Sequence, residues 1–168
     1  MPLIKHFAPI CITLFLSACV EDLAPEDKDL RKDSSFEIQI SENFSISTTD
    51  GETLNLDDEL ASYDAVVLYF TMWCSTCSAH MDEIDAKQDD YPNVRFLMVD
   101  FVSGSISQSK NSQRDNAYNH MTTLVDNNDL LQERYNGKMA STIIINSQNE
   151  ILFNEVYKSL LYEKLDAL

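Results

Sequence analysis

The sequence predicts an α/β fold in which helices flank a central mixed sheet, with a β-hairpin before the sheet and an inserted helix–strand unit within it. Residues 65–70 form a continuous apolar run, as expected for a strand that is covered on both faces. A helical pattern follows from about Ser75 to Gln88. Strand and helix patterns then alternate, and a β-branched segment, a turn and a further strand come near the end. Such alternation is typical of a sheet with helices on both faces.

The overall composition limits both the architecture and the partners of the chain. It has 168 residues, of which 44% are hydrophobic, and this indicates one domain with a packed core plus short extensions. The formal net charge of −16 would repel nucleic-acid phosphates, so nucleic acid is not an expected partner. Solubility is the simplest reason for so acidic a surface.

Residues 1–18 have the pattern of a bacterial signal peptide. Lys5 supplies the positive charge, and residues 7–16 are mostly apolar but too few to span a membrane. The sequence Leu-Ser-Ala-Cys at 16–19 resembles the lipobox of bacterial lipoproteins, in which the cysteine is acylated after cleavage. This resemblance implies a lipid on Cys19, attachment to a membrane and a location in the cell envelope, facing the periplasm. The alternative is an ordinary secretory signal that is cleaved nearby and leaves a soluble protein.

Residues 19–35 are predicted to be an acidic tether between the lipid and a folded domain at 36–168. The segment from 20 to 35 is polar and charged, contains Pro25 and lacks apolar periodicity. A flexible chain of this length spans about 20–25 Å, enough to hold a small domain away from the bilayer. A charged helix at 26–32 is the alternative for part of this segment.

The domain is predicted to begin with strands. Residues 35–40 alternate polar and apolar side chains, as expected for a half-buried strand. Residues 44–47 do the same, and Asp50-Gly51 is a hairpin-turn signal before a partner strand at 53–56. Residues 57–63 are predicted to be a short capped helix or a loop.

The later elements alternate between helix and strand. After the helix that starts at Ser75, the expected elements are a strand at 94–101, a long loop at 103–112, a helix at 113–121, a strand at 122–125, a helix at 128–135, a strand at 141–145, its antiparallel partner at 151–153 and a helix at 157–168. The last helix carries leucines along one side, which indicates that this side packs on the core.

The residues that carry chemistry lie where the first central strand ends. Cys74 and Cys77 form a CxxC pair, and the helical pattern begins at Ser75. Unpaired N–H groups and the positive end of the dipole at a helix start stabilise a thiolate, which is the reactive form of cysteine. If Cys11 is removed with the signal peptide and Cys19 is acylated, this pair holds the remaining free thiols. That count excludes a multi-disulfide scaffold and a four-cysteine metal site.

With these elements in place, the chain resembles the thioredoxin superfamily, and within it the TlpA-like or redoxin-like thiol–disulfide oxidoreductases of the cell envelope. The resemblance covers about residues 40–168. It depends on the hairpin at 50–51, the tryptophan-plus-CxxC motif at 73–77, the strand at 93–100, the inserted helix and strand at 113–126 and the helix–Tyr–loop–strand–turn–strand ending at 130–153. It implies a thioredoxin-like fold without a cofactor. The implied catalytic residues are Cys74 and Cys77, and their implied neighbours are Trp73, Ser75, Thr76, Ser141 and Thr142.

Three positions depart from the pattern of that family. Ser141 stands where the family usually has a cis-proline beside the active cysteines, and a trans bond is expected here because a cis bond before a non-proline residue costs about 3 kcal/mol. Leu68 stands six residues before Cys74, where thioredoxins place a buried acid. Asn149 replaces a common turn glycine, a mild change because asparagine tolerates the left-handed conformation.

The expected reaction is thiol–disulfide exchange with protein disulfides or dithiols of the envelope. Cys74 attacks a substrate disulfide, and Cys77 then attacks Cys74 and releases the reduced substrate. The resemblance favours the reductive direction, with electrons from a membrane donor. Trp73 is expected to pack beside Cys74, although a plain core aromatic is the alternative. An inert structural disulfide on the same scaffold also remains an alternative function.

A second alternative is a metal carrier. Cys74, Cys77 and His80 offer three ligands near one helix start, and the soft sulfur atoms suit Cu(I). The methionines that could add a thioether are Met72, Met81 and Met139. The more ordinary reading of His80 is a partly exposed helix residue. His120 is given no role.

Overall fold

The computed structural model describes residues 38–157 and 159–168. The predicted signal peptide, the lipid site at Cys19 and the tether lie outside the described residues, as does the first half of the predicted strand at 35–40. Within the described part of the chain, no helix has both the length and the apolar character needed to cross a membrane.

A five-stranded mixed sheet forms the centre of the domain. Its strands are β3 (Ala65–Thr71), β4 (Val94–Asp100), β5 (Thr123–Val125), β6 (Ser141–Asn146) and β7 (Ile151–Val156), in the spatial order β5-β4-β3-β6-β7. Strands β3, β4 and β5 run parallel to one another, whereas β6 runs antiparallel to both β3 and β7. The predicted fold class is therefore confirmed.

In the part of the chain that the structure describes, five α-helices and one hairpin complete the fold. The hairpin consists of β1 (Ser45–Ser47) and β2 (Thr53–Asn55), and the helices are α1 (Leu56–Leu60), α2 (Ser75–Lys87), α3 (Ile106–Asp115), α4 (Leu130–Tyr135) and α5 (Leu160–Leu165). A short 3₁₀ turn, Gln88–Asp90, follows α2. In the hairpin, Ile46 pairs with Leu54, and Gly51 has a φ of 82° in the turn, which a glycine adopts without strain.

The two faces of the sheet bury separate apolar clusters. All seven residues of β3 are buried, which confirms the predicted covered strand. Tyr69 packs with Met81 of α2 on one face, whereas Leu68 and Phe70 pack with Leu131 of α4 on the other. Successive strand residues point to opposite faces, so a run of apolar residues without polar interruption supplies both clusters.

The prediction of a loop at 103–112 and a helix at 113–121 is wrong, because α3 spans Ile106–Asp115. Ser105 caps this helix by accepting the N–H of Gln108. The buried residues of α3 are polar: Ser109 and Gln113. The Gln113 amide donates to the carbonyl of Met121 at 2.7 Å. A helix with a polar inner face has no apolar periodicity, so the sequence pattern did not reveal it.

The ends of the domain also differ from the predictions. The C-terminal helix covers only Leu160–Leu165, since the N–H of Tyr157 donates to the carbonyl of Ala140 and holds that residue beside the sheet. At the other end, residues 38–40 do not form a regular strand, although Ile40 makes an isolated antiparallel bridge to Glu150. Asn149 has a φ of 62°, in agreement with the expected left-handed turn.

Candidate active site

Cys74 stands between the end of β3 and the start of α2. It is the N-cap of α2, with extended backbone angles, and a disulfide joins it to Cys77. The two Cα atoms are 4.9 Å apart. The CxxC spacing therefore places the second cysteine in the first turn of the helix, within bonding reach of the first.

The helix start directs a backbone donor at one sulfur of the pair. The N–H of Cys77 points at Sγ of Cys74 over 3.1 Å. A donor at this place stabilises negative charge on Sγ of Cys74 when the disulfide is reduced, and the helix dipole acts in the same direction. The Cys77 side chain is fully buried, whereas Cys74 is half-buried. Cys74 is therefore partly accessible from solvent, whereas Cys77 is not.

Trp73 is fixed by hydrogen bonds to two neighbours at the end of the strands. Its indole N–H donates to Oδ2 of Asp100 at 2.8 Å, and its backbone N–H donates to Oγ1 of Thr71 at 3.1 Å. Asp100 is buried, and its Oδ1 accepts the N–H groups of Val102 and Ser103. Trp73 has a φ of 57°, an uncommon conformation for a non-glycine residue. These hydrogen bonds hold the strained residue immediately before Cys74.

Sequence reasoning did not identify Asp100 as part of the site. A signal was present, because Asp100 is the last residue of β4 and pairs with Thr71 at the end of β3. Residues that end neighbouring parallel strands lie together at one edge of the sheet, where ligand and catalytic sites commonly form.

A loop of residues 137–141, here named the Met139 loop, lies against the disulfide. The Sδ atom of Met139 is 3.5 Å from Sγ of Cys74, and 43% of the Met139 side chain is exposed. Ala140 has a φ of 64°, and its N–H donates to the carbonyl of Phe70 at 2.9 Å. A backbone hydrogen bond therefore attaches the loop to the end of β3, and the loop places the thioether of Met139 beside Cys74.

The predicted neighbours Ser141 and Thr142 form hydrogen bonds with residues of the Met139 loop. Ser141 accepts the N–H of Lys138 through Oγ, and Thr142 donates its hydroxyl to the carbonyl of Ala140. No peptide bond among the described residues is cis, in agreement with the expected trans bond before Ser141. The side chain that reaches Cys74 from this loop is Met139. Ser75 and Thr76, the other predicted neighbours, are exposed in the first turn of α2.

His80 turns toward a group of tyrosines. Its Nδ1 lies 3.0 Å from the hydroxyl of Tyr69, and its ring stacks on Tyr157 with centroids 4.4 Å apart. Burial raises the pKa of both tyrosines above the ordinary value. In the described part of the chain, no three His, Cys, Asp or Glu side chains come together in a way that could hold a metal ion. The predicted trio of Cys74, Cys77 and His80 is therefore not assembled as a metal site.

His120, to which the sequence assigned no role, has a partner on α2. Its Nε2 is 2.9 Å from Oδ1 of Asp85. Both side chains are substantially exposed, so this pair contributes little to stability. Nearby, the hydroxyl of Tyr118 donates to Asp82 at 2.7 Å. These contacts attach the segment after α3 to the outer side of α2.

Comparisons with known proteins agree with this fold. The model of the AhpC/TSA family matches residues 39–153, which include both cysteines. A comparison with curated protein sequences found no match.

Several solved structures share the fold at low sequence identity. A thiol-disulfide oxidoreductase from Bacteroides fragilis has a TM-score of 0.63 and 16% identity, over 77% of this chain and 98% of that one. The pneumococcal exposed lipoprotein thioredoxin Etrx1 from Streptococcus pneumoniae has a TM-score of 0.62 and 22% identity, over 76% and 100% of the two chains. A secreted Mycobacterium tuberculosis disulfide oxidoreductase has a TM-score of 0.58 and 18% identity, over 74% and 96%. These likenesses establish a thioredoxin-like fold.

Proposed function

Because this chain belongs to the AhpC/TSA family, we propose that Cys74 and Cys77 exchange disulfides with other proteins of the cell envelope. The membership and the shared fold confirm the prediction of a thioredoxin-like oxidoreductase. The substrate class, the roles of the two cysteines, the direction and the location are parts of the proposal.

The proposed reaction conserves atoms and electrons in two exchange steps. The thiolate of Cys74 attacks one sulfur of a substrate disulfide, so that a mixed disulfide forms and the other substrate sulfur leaves as a thiolate. The thiolate of Cys77 then attacks Sγ of Cys74, which breaks the mixed disulfide and releases the second substrate thiolate. The substrate gains two electrons, and the pair ends as the Cys74–Cys77 disulfide.

The observation that carries this proposal is the difference between the two cysteines. Cys74 is half-buried and receives the N–H of Cys77 at 3.1 Å, whereas Cys77 is fully buried behind it. The stabilised, accessible sulfur suits the attacking role. The buried sulfur suits the second step, because only a mixed disulfide on Cys74 comes within its reach.

The finer part of the proposal concerns location and direction. We infer that Cys19 carries a lipid, that the domain faces the periplasm and that the pair acts mainly as a reductant, supplied with electrons by a membrane donor. The lipobox-like sequence at 16–19 supports the lipid. The resemblance to TlpA-like proteins supports the direction. One solved structure of the same fold is that of an exposed lipoprotein thioredoxin, which is consistent with such an arrangement.

Reduction of insulin by dithiothreitol tests the activity. The full chain should accelerate the reaction, and Cys74→Ser should abolish the acceleration. Cys77→Ser should instead accumulate a mixed disulfide on Cys74, visible as a species that a reducing agent removes. Equal rates for the wild type and Cys74→Ser would leave the redox-inert module as the explanation.

The reduction potential of the pair tests the direction. Equilibration of the chain in a series of glutathione or dithiothreitol buffers gives this potential from the fraction of disulfide. A value close to that of thioredoxin, about −270 mV, supports a reductant, whereas a value near −120 mV, as in DsbA, indicates an oxidant.

A further inference from the structure

The Met139 loop and the cysteine pair bring three sulfur atoms together. The Sδ atom of Met139 lies 3.5 Å from Sγ of Cys74, which is bonded to Sγ of Cys77. Met139 is 43% exposed although it touches the disulfide. We propose that, once the disulfide is reduced, these three sulfur atoms bind one Cu(I) ion.

The chemistry of the three donors favours Cu(I) over other metals. Thiolates and thioethers are soft ligands that select Cu(I), whereas structural zinc sites are almost always tetrahedral with four nitrogen, sulfur or oxygen ligands. The described residues provide no third His, Cys, Asp or Glu beside the pair. His80, which the sequence suggested as a ligand, is engaged by Tyr69 and Tyr157. The site is therefore a three-sulfur site.

The distance between the sulfur atoms of Met139 and Cys74 is close to that expected around a trigonal ion. Metal–sulfur bonds are about 2.3 Å long, so a metal at the centre of three sulfurs holds them about 4 Å apart. The Sδ atom of Met139 is already 3.5 Å from Sγ of Cys74. An increase of this distance by about 0.5 Å is within the freedom of a methionine side chain, which has three rotatable bonds. The exposed side of Met139 and the half-buried Cys74 leave a path by which the ion can enter.

Binding is linked to the redox state of the pair. A dithiol donor reduces the Cys74–Cys77 disulfide by two electrons and is itself oxidised to a disulfide. The two thiols then lose two protons as Cu(I) binds, and the ion stays monovalent. The N–H of Cys77 that points at Cys74 stabilises the thiolate in the complex. Oxidation of the pair would therefore release the metal.

A copper titration of the full chain, reduced with a phosphine that is then removed, tests the site. Cu(I) is added without oxygen in competition with bathocuproine disulfonate. We expect one competitively bound ion in the wild type and at least a tenfold weaker affinity in Met139→Leu. Met72→Leu is the matched control, because Met72 is also 43% exposed and close to Cys74 in sequence. It should bind as the wild type does. Cys74→Ser gives the background from the other cysteines.

X-ray absorption of the copper complex provides a readout that does not depend on affinity. Three sulfur neighbours are expected in the wild type and two in Met139→Leu. Equal affinities of these two proteins, nitrogen among the ligands, or no binding above the Cys74→Ser background would each overturn the proposal. Insulin reduction by the metal-free chain is a separate measurement, so failure of the copper site is distinguishable from failure of the oxidoreductase.

Discussion

Substitution of Gly137 by alanine should destabilise the domain through one specific clash. A Cβ at this position would lie 2.3 Å, 2.6 Å and 2.8 Å from three carbon atoms of the Phe70 ring. Favourable carbon–carbon contacts are about 3.5–4.0 Å, so the ring or the loop must move by about 1 Å. Phe70 is fully buried beside Phe101, with ring centroids 5.9 Å apart, and has little room to yield.

The expected loss for Gly137→Ala is about 1–3 kcal/mol in the free energy of unfolding, the usual cost of an overpacked core. The effect should extend to the candidate site, because the carbonyl of Phe70 accepts the N–H of Ala140, next to Met139. Urea unfolding of the wild type and the variant, followed by circular dichroism, gives the difference.

Two further variants separate the clash from other effects of a lost glycine. Gly51→Ala has no atom within 4 Å of the new Cβ but a φ of 82°, so its cost of about 1–2 kcal/mol comes from the backbone alone. Phe70→Leu shortens the opposing side chain and should reduce the cost of Gly137→Ala by about 1 kcal/mol, without changing that of Gly51→Ala. A cost for Gly137→Ala below about 0.5 kcal/mol, or one that is equal in the Phe70→Leu background, would refute the steric reasoning.

Three other predictions concern the site, the pH dependence and the anchor. Asp100→Leu removes the acceptor of the Trp73 indole and of two backbone N–H groups. It should lower the free energy of unfolding by about 3 kcal/mol, clearly more than Asp100→Asn does. Equal losses for the two variants, in denaturant titrations followed by tryptophan fluorescence, would contradict the role of Asp100 as a hydrogen-bond acceptor. Burial, and to a smaller extent the hydrogen bond to Asp82, raises the pKa of Tyr118 from 10.0 to about 12. The protonated Tyr118 therefore contributes its full stabilisation below pH 10, and this contribution is lost as the pH rises toward 12. Between these pH values the wild type should lose stability more steeply than Tyr118→Phe, and parallel curves of unfolding free energy against pH would exclude this linkage. Cys19→Ala should move the protein from the membrane fraction to the soluble fraction and end labelling by a fatty-acid analogue; unchanged fractionation and labelling would rule out a lipid at this position.

The central part of the fold was predictable because burial there leaves a strong pattern in the sequence. β3 is buried on both faces, and its residues 65–70 are therefore apolar without interruption. The hairpin was predictable from alternation and from Asp50-Gly51 in its turn, and the observed pairing of Ile46 with Leu54 agrees with that prediction. The start of α2 followed from the change of period after Cys74.

Helix α3 could not be predicted in the same way. Its inner face carries Ser109 and Gln113, and Gln113 bonds to Thr49, Met121 and Thr123 rather than packing among apolar side chains. Such a face becomes favourable only when its partners are in place. No local periodicity marks this face, so the predicted helix begins at residue 113, seven residues later than the observed start at Ile106.

By itself, the sequence determined the fold class and the place of the CxxC pair within it. A CxxC pair after a buried strand and before a helix is a local arrangement, which a single short stretch of the sequence specifies. The tertiary structure decided what surrounds the pair. It brought Asp100 to Trp73, placed Met139 rather than Ser141 against Cys74, and turned His80 toward Tyr69. These contacts join residues that are 11 to 65 positions apart. They depend on strand order and on how the loops leave the sheet, which no single stretch of the sequence specifies.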